Sequence, residues 1–344
     1  MSTIDTLTQF LTQAGTEFQL FDLGRQLRVL ERDRFERIER QQEPYPWPLQ
    51  QKAWLAVHFY QEGGKHYLWF LTFPLDEQGL LMGAGPKQFM DLVVETLGYQ
   101  LTGELDEAKA EKLANNPWTF RPAEAKMAAL HAHLSRRLAQ PSSAYLAPLC
   151  GYLADPRSDG WQQLGLQGFA DLAERVSDQD ILPLVCKSLP RLPEPVLHAL
   201  CQALESVALP PALQGALIER INQEQERAEP SDETLAHLCR AQASCPPQAL
   251  RRAKLLTLLT THPSQALLLA IAGRLPGDLE DEALLGAFLE ALAALDTRLF
   301  GQLFAELVTL PNLRPGLLGK LRDPNRSAAL GQAIGELFKA AHGG

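Results

Sequence analysis

The stretch "KAWLAVHFYQEGGKHYLWFLTFPLDEQGLL" (Lys52 to Leu81) decides the fold class of the N-terminal part. Two runs rich in apolar and aromatic residues flank "QEGGK". The Gly63–Gly64 pair predicts a hairpin turn there, because glycine reaches positive φ without a Cβ clash. In the second run Trp69, Leu71 and Phe73 share one face and Leu68 and Phe70 the other. With both faces apolar, this strand is expected at the centre of a sheet. Pro74 cannot donate a ladder hydrogen bond, so pairing should weaken there. "PLDEQG" should then turn the chain into a third strand at "LLM". Asp76, Glu77 and Gln78 fall at the solvated tip of that turn. A hydrolytic carboxylate pair is held about 5–9.5 Å apart across a substrate, whereas neighbours on a turn point apart. These three residues are therefore candidates for docking a partner, not for catalysis.

Outward from the hairpin, Ser2 and Asp5 suggest a capped helix over residues 2–14 that stops at Gly15. Residues 17–30 alternate around Gly24 and predict two short strands or one bent strand. "ERDRFERIER" (Glu31–Arg40) predicts a charged helix with Asp33–Arg37 and Glu36–Arg40 pairs, and "EPYPWP" (Glu43–Pro48) cannot be helical. Further helices are expected over Lys87–Leu97 and Ala123–Leu138. The reading for residues 1–140 is an α+β head, an antiparallel meander packed by helices.

After "AQPSS" (Ala139–Ser143) the strand signals vanish. Helix starts are expected near Ser177, Glu194 and Pro211, then near Ser231, Pro247, Pro263, Leu279 and Asp296. Val196, Leu197, Leu200 and Leu204 make one apolar stripe, and Leu285, Phe288 and Leu292 another. Two helices per roughly 33 residues is the mark of a stacked helix-pair array, because such short helices bury their stripes only against neighbours. Residues 141–344 are thus read as an all-α, HEAT-like helical-repeat domain, with an irregular helical domain as the alternative.

The chain has 344 residues and a formal net charge of −9. That acidity argues against an unselective grip on nucleic acid or anionic lipid. No run approaches the roughly 18 apolar residues of a membrane span, and the N-terminus lacks the basic region of a secretory signal. Five cysteines without a regular framework fit a reducing compartment, so a cytoplasmic protein is expected.

The search for catalytic motifs is empty. His131 and His133, two apart on a helix, point to different faces. His198 is read as exposed, and Cys186, Cys201 and Cys239 as small core hydrophobes. "MGAGPK" and "GGK" do not complete a phosphate loop. No cofactor or metal is expected. One basic feature stands out: Arg240, Arg251, Arg252 and Lys254 are close in sequence and could gather as a patch for a carboxylate-rich or phosphorylated protein partner.

"MSTIDTLTQFLTQAG", "YPWPLQQKAWLA" and "WFLTFPLDEQGLL" together resemble a proteobacterial family catalogued as domain of unknown function 3549. The resemblance implies no activity, cofactor or catalytic residue. It implies only that Trp54, Trp69 and the Asp-Glu-Gln-Gly turn belong to a shared design. The preferred functional reading is a non-enzymatic adaptor that binds an unknown protein partner through its helical surface and its acidic hairpin loop. The alternative is an enzyme or small-molecule binder with a pocket between head and helical domain.

Overall fold

The computed structural model describes residues 5–98, 101, 106–156 and 159–342. The chain divides into two compact units, residues 1–122 with 309–311 and residues 123–308 with 312–344.

The first unit runs α1 (Leu7–Gln13), β1 (Glu17–Asp22), β2 (Arg28–Leu30), α2 (Arg32–Glu39), β3 (Lys52–Tyr60), β4 (His66–Pro74), α3 (Ala84–Leu97) and α4 (Glu107–Ala114). Its four strands form an antiparallel sheet in the order β2-β1-β3-β4. The hairpin between β3 and β4 closes as expected, with Tyr60 opposite His66. Only Gly63 carries the positive φ, at 70°. Leu55, Val57, Phe59, Leu71 and Phe73 bury one sheet face against Phe10, Phe35, Ile38, Phe89 and Val93 of the helices.

Two expectations for this unit need correction. β4 lies at the sheet edge, not its centre. Its outer side is instead met by residues 118–120, where Thr72 N donates to the Trp118 carbonyl (2.8 Å) and Phe120 N to the Phe70 carbonyl (3.1 Å). The Phe120 ring stands edge-on to Trp54 (4.9 Å) and Phe70 (6.1 Å). Residues 118–120 thus meet the β4 edge where a neighbouring strand was expected, and the Phe120 ring packs on the Phe70 side of the sheet. The "LLM" segment is not a strand: Leu81 forms an isolated bridge with Leu75, and Met82 is exposed.

α1 begins later than its sequence suggested. Thr6 is the N-cap and accepts from Gln9 N, while Ser2 lies outside the described residues. The α1 start is also held from α2. Glu39 Oε1 accepts from Leu7 N (2.6 Å), and Oε2 from Thr8 N (3.2 Å) and Thr8 Oγ1 (2.5 Å). Burial pushes the Glu39 carboxyl up to about 7 against the pull of these donors. On α2, Arg34 and Arg37 converge on Glu43 at 2.7 and 3.1 Å, and Arg37 reaches Asp33 only at its carbonyl.

The second unit comprises α5 (Glu124–Arg137), α6 (Leu146–Ala154), α7 (Leu166–Glu174), α8 (Ile181–Ser188), α9 (Glu194–Leu204), α10 (Pro211–Gln225), α11 (Asp232–Arg240), α12 (Ala249–Thr261), α13 (Gln265–Arg274), α14 (Glu282–Leu295), α15 (Thr297–Leu307), α16 (Arg314–Lys320) and α17 (Ala328–His342). No strand among the described residues follows Pro141. Ser231 and Asp296 are N-caps, and Glu194 and Pro211 are first helical residues, as the rhythm predicted. The other four expected starts fall two to four residues early. Alternate helices pack on one another: α5, α7, α9, α11 and α13 form one row, and α6, α8 and α10, like α12 and α14, pack in the same alternate manner. α5 packs on α7 and α9 and so groups with the second compact unit.

Candidate functional site

The acidic turn comes first. Asp76, Glu77 and Gln78 are exposed, but Asp76 is occupied with holding the turn. Its Oδ1 accepts from Gln78 N (2.9 Å) and Leu80 N (2.8 Å), and its own N–H donates to the Leu80 carbonyl (2.9 Å). This is the local side-chain-to-backbone closure that aspartate offers in turns. Gly79 completes it at a φ of 80°, and its carbonyl accepts from Tyr45 N (2.8 Å). The recess beside Pro48, Gln51 and Leu75 has a volume of only about 20 Å³, room for about one water. Glu77 and Gln78 are the part of this turn turned toward solvent.

The basic set does not gather as a patch. Arg251 is 3% exposed. Its Nε and Nη2 donate to Asp278 Oδ2 (3.1 and 2.7 Å), and its Nη1 to the Gln242 carbonyl (2.9 Å) and the Cys245 carbonyl (3.2 Å). Arg251 thus ties the turn after α11 to the turn before α14. Arg252 Nε lies 3.7 Å from Asp278 Oδ1, and Lys254 Nζ donates to Gln225 Oε1 (3.3 Å). Arg240 turns away to a different carboxylate, Glu205. Burial is what the sequence spacing could not convey.

That carboxylate anchors a site along the row α9–α11–α13. Glu205, the C-cap of α9, is 5% exposed. Its Oε1 lies 2.7 Å from Arg240 Nη2 and its Oε2 2.6 Å from Arg274 Nε. Arg240 and Arg274 end α11 and α13, where a cation complements the helix dipole. Between α11 and α13 lies an open groove of about 220 Å³, lined by Glu233, Ala236, His237, Arg240, Ala266, Leu269, Ala270 and Arg274.

Residues 2–338 match the model of a family described as "Protein of unknown function (DUF3549)". The chain belongs to the DUF3549 family. No curated protein and no solved structure matches it. In this DUF3549 chain His198 is not the exposed side chain expected: it stacks on His237, centroids 4.3 Å apart at 10°, and its Nε2 lies 2.9 Å from Thr234 Oγ1. Burial, with His198 and Arg240 nearby, lowers His237 to about 4, so the ring is neutral near pH 7. His237 Nδ1 is buried without a hydrogen-bond partner. The Cys239 thiol is pushed up to about 12 by burial, far from the range of an activated nucleophile. Among the described residues, no group of three or more His, Cys, Asp or Glu side chains gathers in a way that could hold a metal ion. Likewise no described helix is long and apolar enough to cross a membrane.

Sequence reading missed Glu205, His237 and Arg274. The helix-pair period carried a signal for them: Arg240 and Arg274 are 34 positions apart, and Glu205 precedes Arg240 by 35. Nearly equal intervals along the chain thus place a charged residue at the ends of the alternate helices α9, α11 and α13.

Proposed function

We propose that this DUF3549 protein is a non-enzymatic, cytoplasmic adaptor whose HEAT-like helical stack binds a protein partner. The observation that carries this reading is the α11–α13 groove. Its floor is apolar and shallow, formed by Ala236, Ala266 and Ala270, with Leu269 exposed at its lip. Its guanidinium groups share Glu205 between them, and its imidazole is held neutral. A surface with an apolar floor and a polar rim suits association, whereas catalysis needs an acid or base poised near the working pH. The five free thiols accord with a reducing compartment. In the first unit, Glu77 and Gln78 supply a second contact point, with Asp76 holding the turn that presents them.

The test is a photo-crosslinking residue placed at Leu269 in cells that make the protein, with Leu256 on α12 as control. The expected result is one discrete protein adduct at 269, absent at 256, that re-forms when the captured protein is purified and mixed with the chain. The same adducts from both positions, or none at 269, would overturn the adaptor reading.

A further inference from the structure

The α11–α13 groove is charged unevenly along its length. Glu233, in the first turn of α11, stands at one end and is exposed. Arg240 and Arg274 stand at the other, and a single carboxylate, Glu205, lies between them. Two guanidinium groups against one carboxylate leave one unit of positive charge uncompensated. Between the ends, the floor of Ala236, Ala266 and Ala270 leaves about 220 Å³. That is below the roughly 300–1,000 Å³ of small-molecule pockets, so the groove is sized for a few side chains of a passing segment and not for an enclosed ligand.

From these features we infer that the groove binds a short extended peptide segment carrying a basic residue and an acidic residue three positions apart, with an apolar side chain between them. The inference rests on the adaptor reading and names the chemistry of its partner. Glu233 and Arg240 are seven residues apart on a helix, about 10 Å at 1.5 Å per residue. A segment in the extended polyproline conformation, with three residues per turn and about 3.1 Å per residue, covers about 9 Å in three residues and returns both side chains to the same side. The basic side chain pairs with Glu233, the acidic one with the Arg240–Arg274 end, and the apolar one packs on the alanine floor beside Leu269. Like charges at either end oppose the reversed arrangement, so charge sets the direction of the segment as well as its composition.

The test selects displayed random dodecapeptides on the immobilised full-length chain, then on Leu269→Arg and Glu233→Lys variants. Leu269 and Glu233 are both exposed, so the fold should be unchanged by circular dichroism. Peptides from the native chain should be enriched in a basic and an acidic residue three apart. Leu269→Arg should reduce their retention at least tenfold, and Glu233→Lys should abolish the preference for the basic residue. No enrichment, or enrichment indifferent to both variants, overturns the inference. Peptides lost on Leu269→Arg but without the charge spacing overturn it while leaving the adaptor reading intact. The adaptor reading falls only by its own crosslinking result.

Discussion

Replacing Arg251 by methionine tests whether the most basic part of the α11–α12 sequence is a surface or a buried tie. Side-chain exposure is 3% for Arg251 and 1% for Asp278, at a separation of 2.7 Å. Removing one partner of a buried ion pair is destabilising by about 3–5 kcal/mol, because the survivor is left charged and unsolvated. Here the survivor, Asp278, keeps Arg252 at 3.7 Å, which offsets part of its charge. The Gln242 and Cys245 carbonyls lose their donors at the same time. The expected loss for Arg251→Met is therefore near the lower end, about 3 kcal/mol. Urea denaturation followed by circular dichroism at 222 nm reads it, since the second unit is all-helical among its described residues. The double variant Arg251→Met with Asp278→Leu leaves no stranded charge and should be less destabilised than Arg251→Met alone. A loss below about 0.5 kcal/mol for Arg251→Met, the range of ordinary surface changes, would falsify the buried tie and restore a surface arginine available to a partner.

Two further predictions use other parts of the chain. In the first unit, Glu39 is raised from 4.5 to about 7, so between those values the folded state keeps a proton that the unfolded chain has released. Stability of that unit should be full below pH 4.5 and fall by up to about 3 kcal/mol as pH rises through 7. His237 is lowered from 6.5 to about 4, so the second unit's stability should be full above pH 6.5 and fall as pH drops toward 4. Four of five tryptophans (Trp47, Trp54, Trp69 and Trp118) lie in the first unit, so fluorescence and helical ellipticity should shift in opposite directions between pH 4.5 and 6.5. Parallel shifts, or a fluorescence transition unchanged by Glu39→Gln, would contradict this. At the acidic turn, Asp76→Ala removes two hydrogen bonds to backbone amides and should lower stability by about 1 kcal/mol, against less than about 0.5 kcal/mol for Glu77→Ala. Equal effects in thermal or urea unfolding would show that Asp76 does not close the turn.

Local periodicity was enough to read the β3–β4 hairpin, the charged α2 and the end of strand signals before residue 140. It also placed the starts of α9, α10, α11 and α15 within a residue. Each rests on interactions a few residues long: a glycine's φ, a proline or serine at a helix start, an apolar stripe every three or four residues. The sequence also carried the charged positions, at nearly equal intervals, at the ends of α9, α11 and α13. Tertiary structure alone decided what those positions do. Glu205 meets Arg274 from 69 residues away, and Arg251 meets Asp278 from 27. Whether a charged side chain ends in water or in such a pair depends on which helices pack, not on its neighbours in the chain. For the same reason β4 could look central: on its second apolar face Phe70 packs against Phe120, about 50 residues downstream. Hydrophobicity specifies that a surface is buried, but only the packed chain determines what buries it.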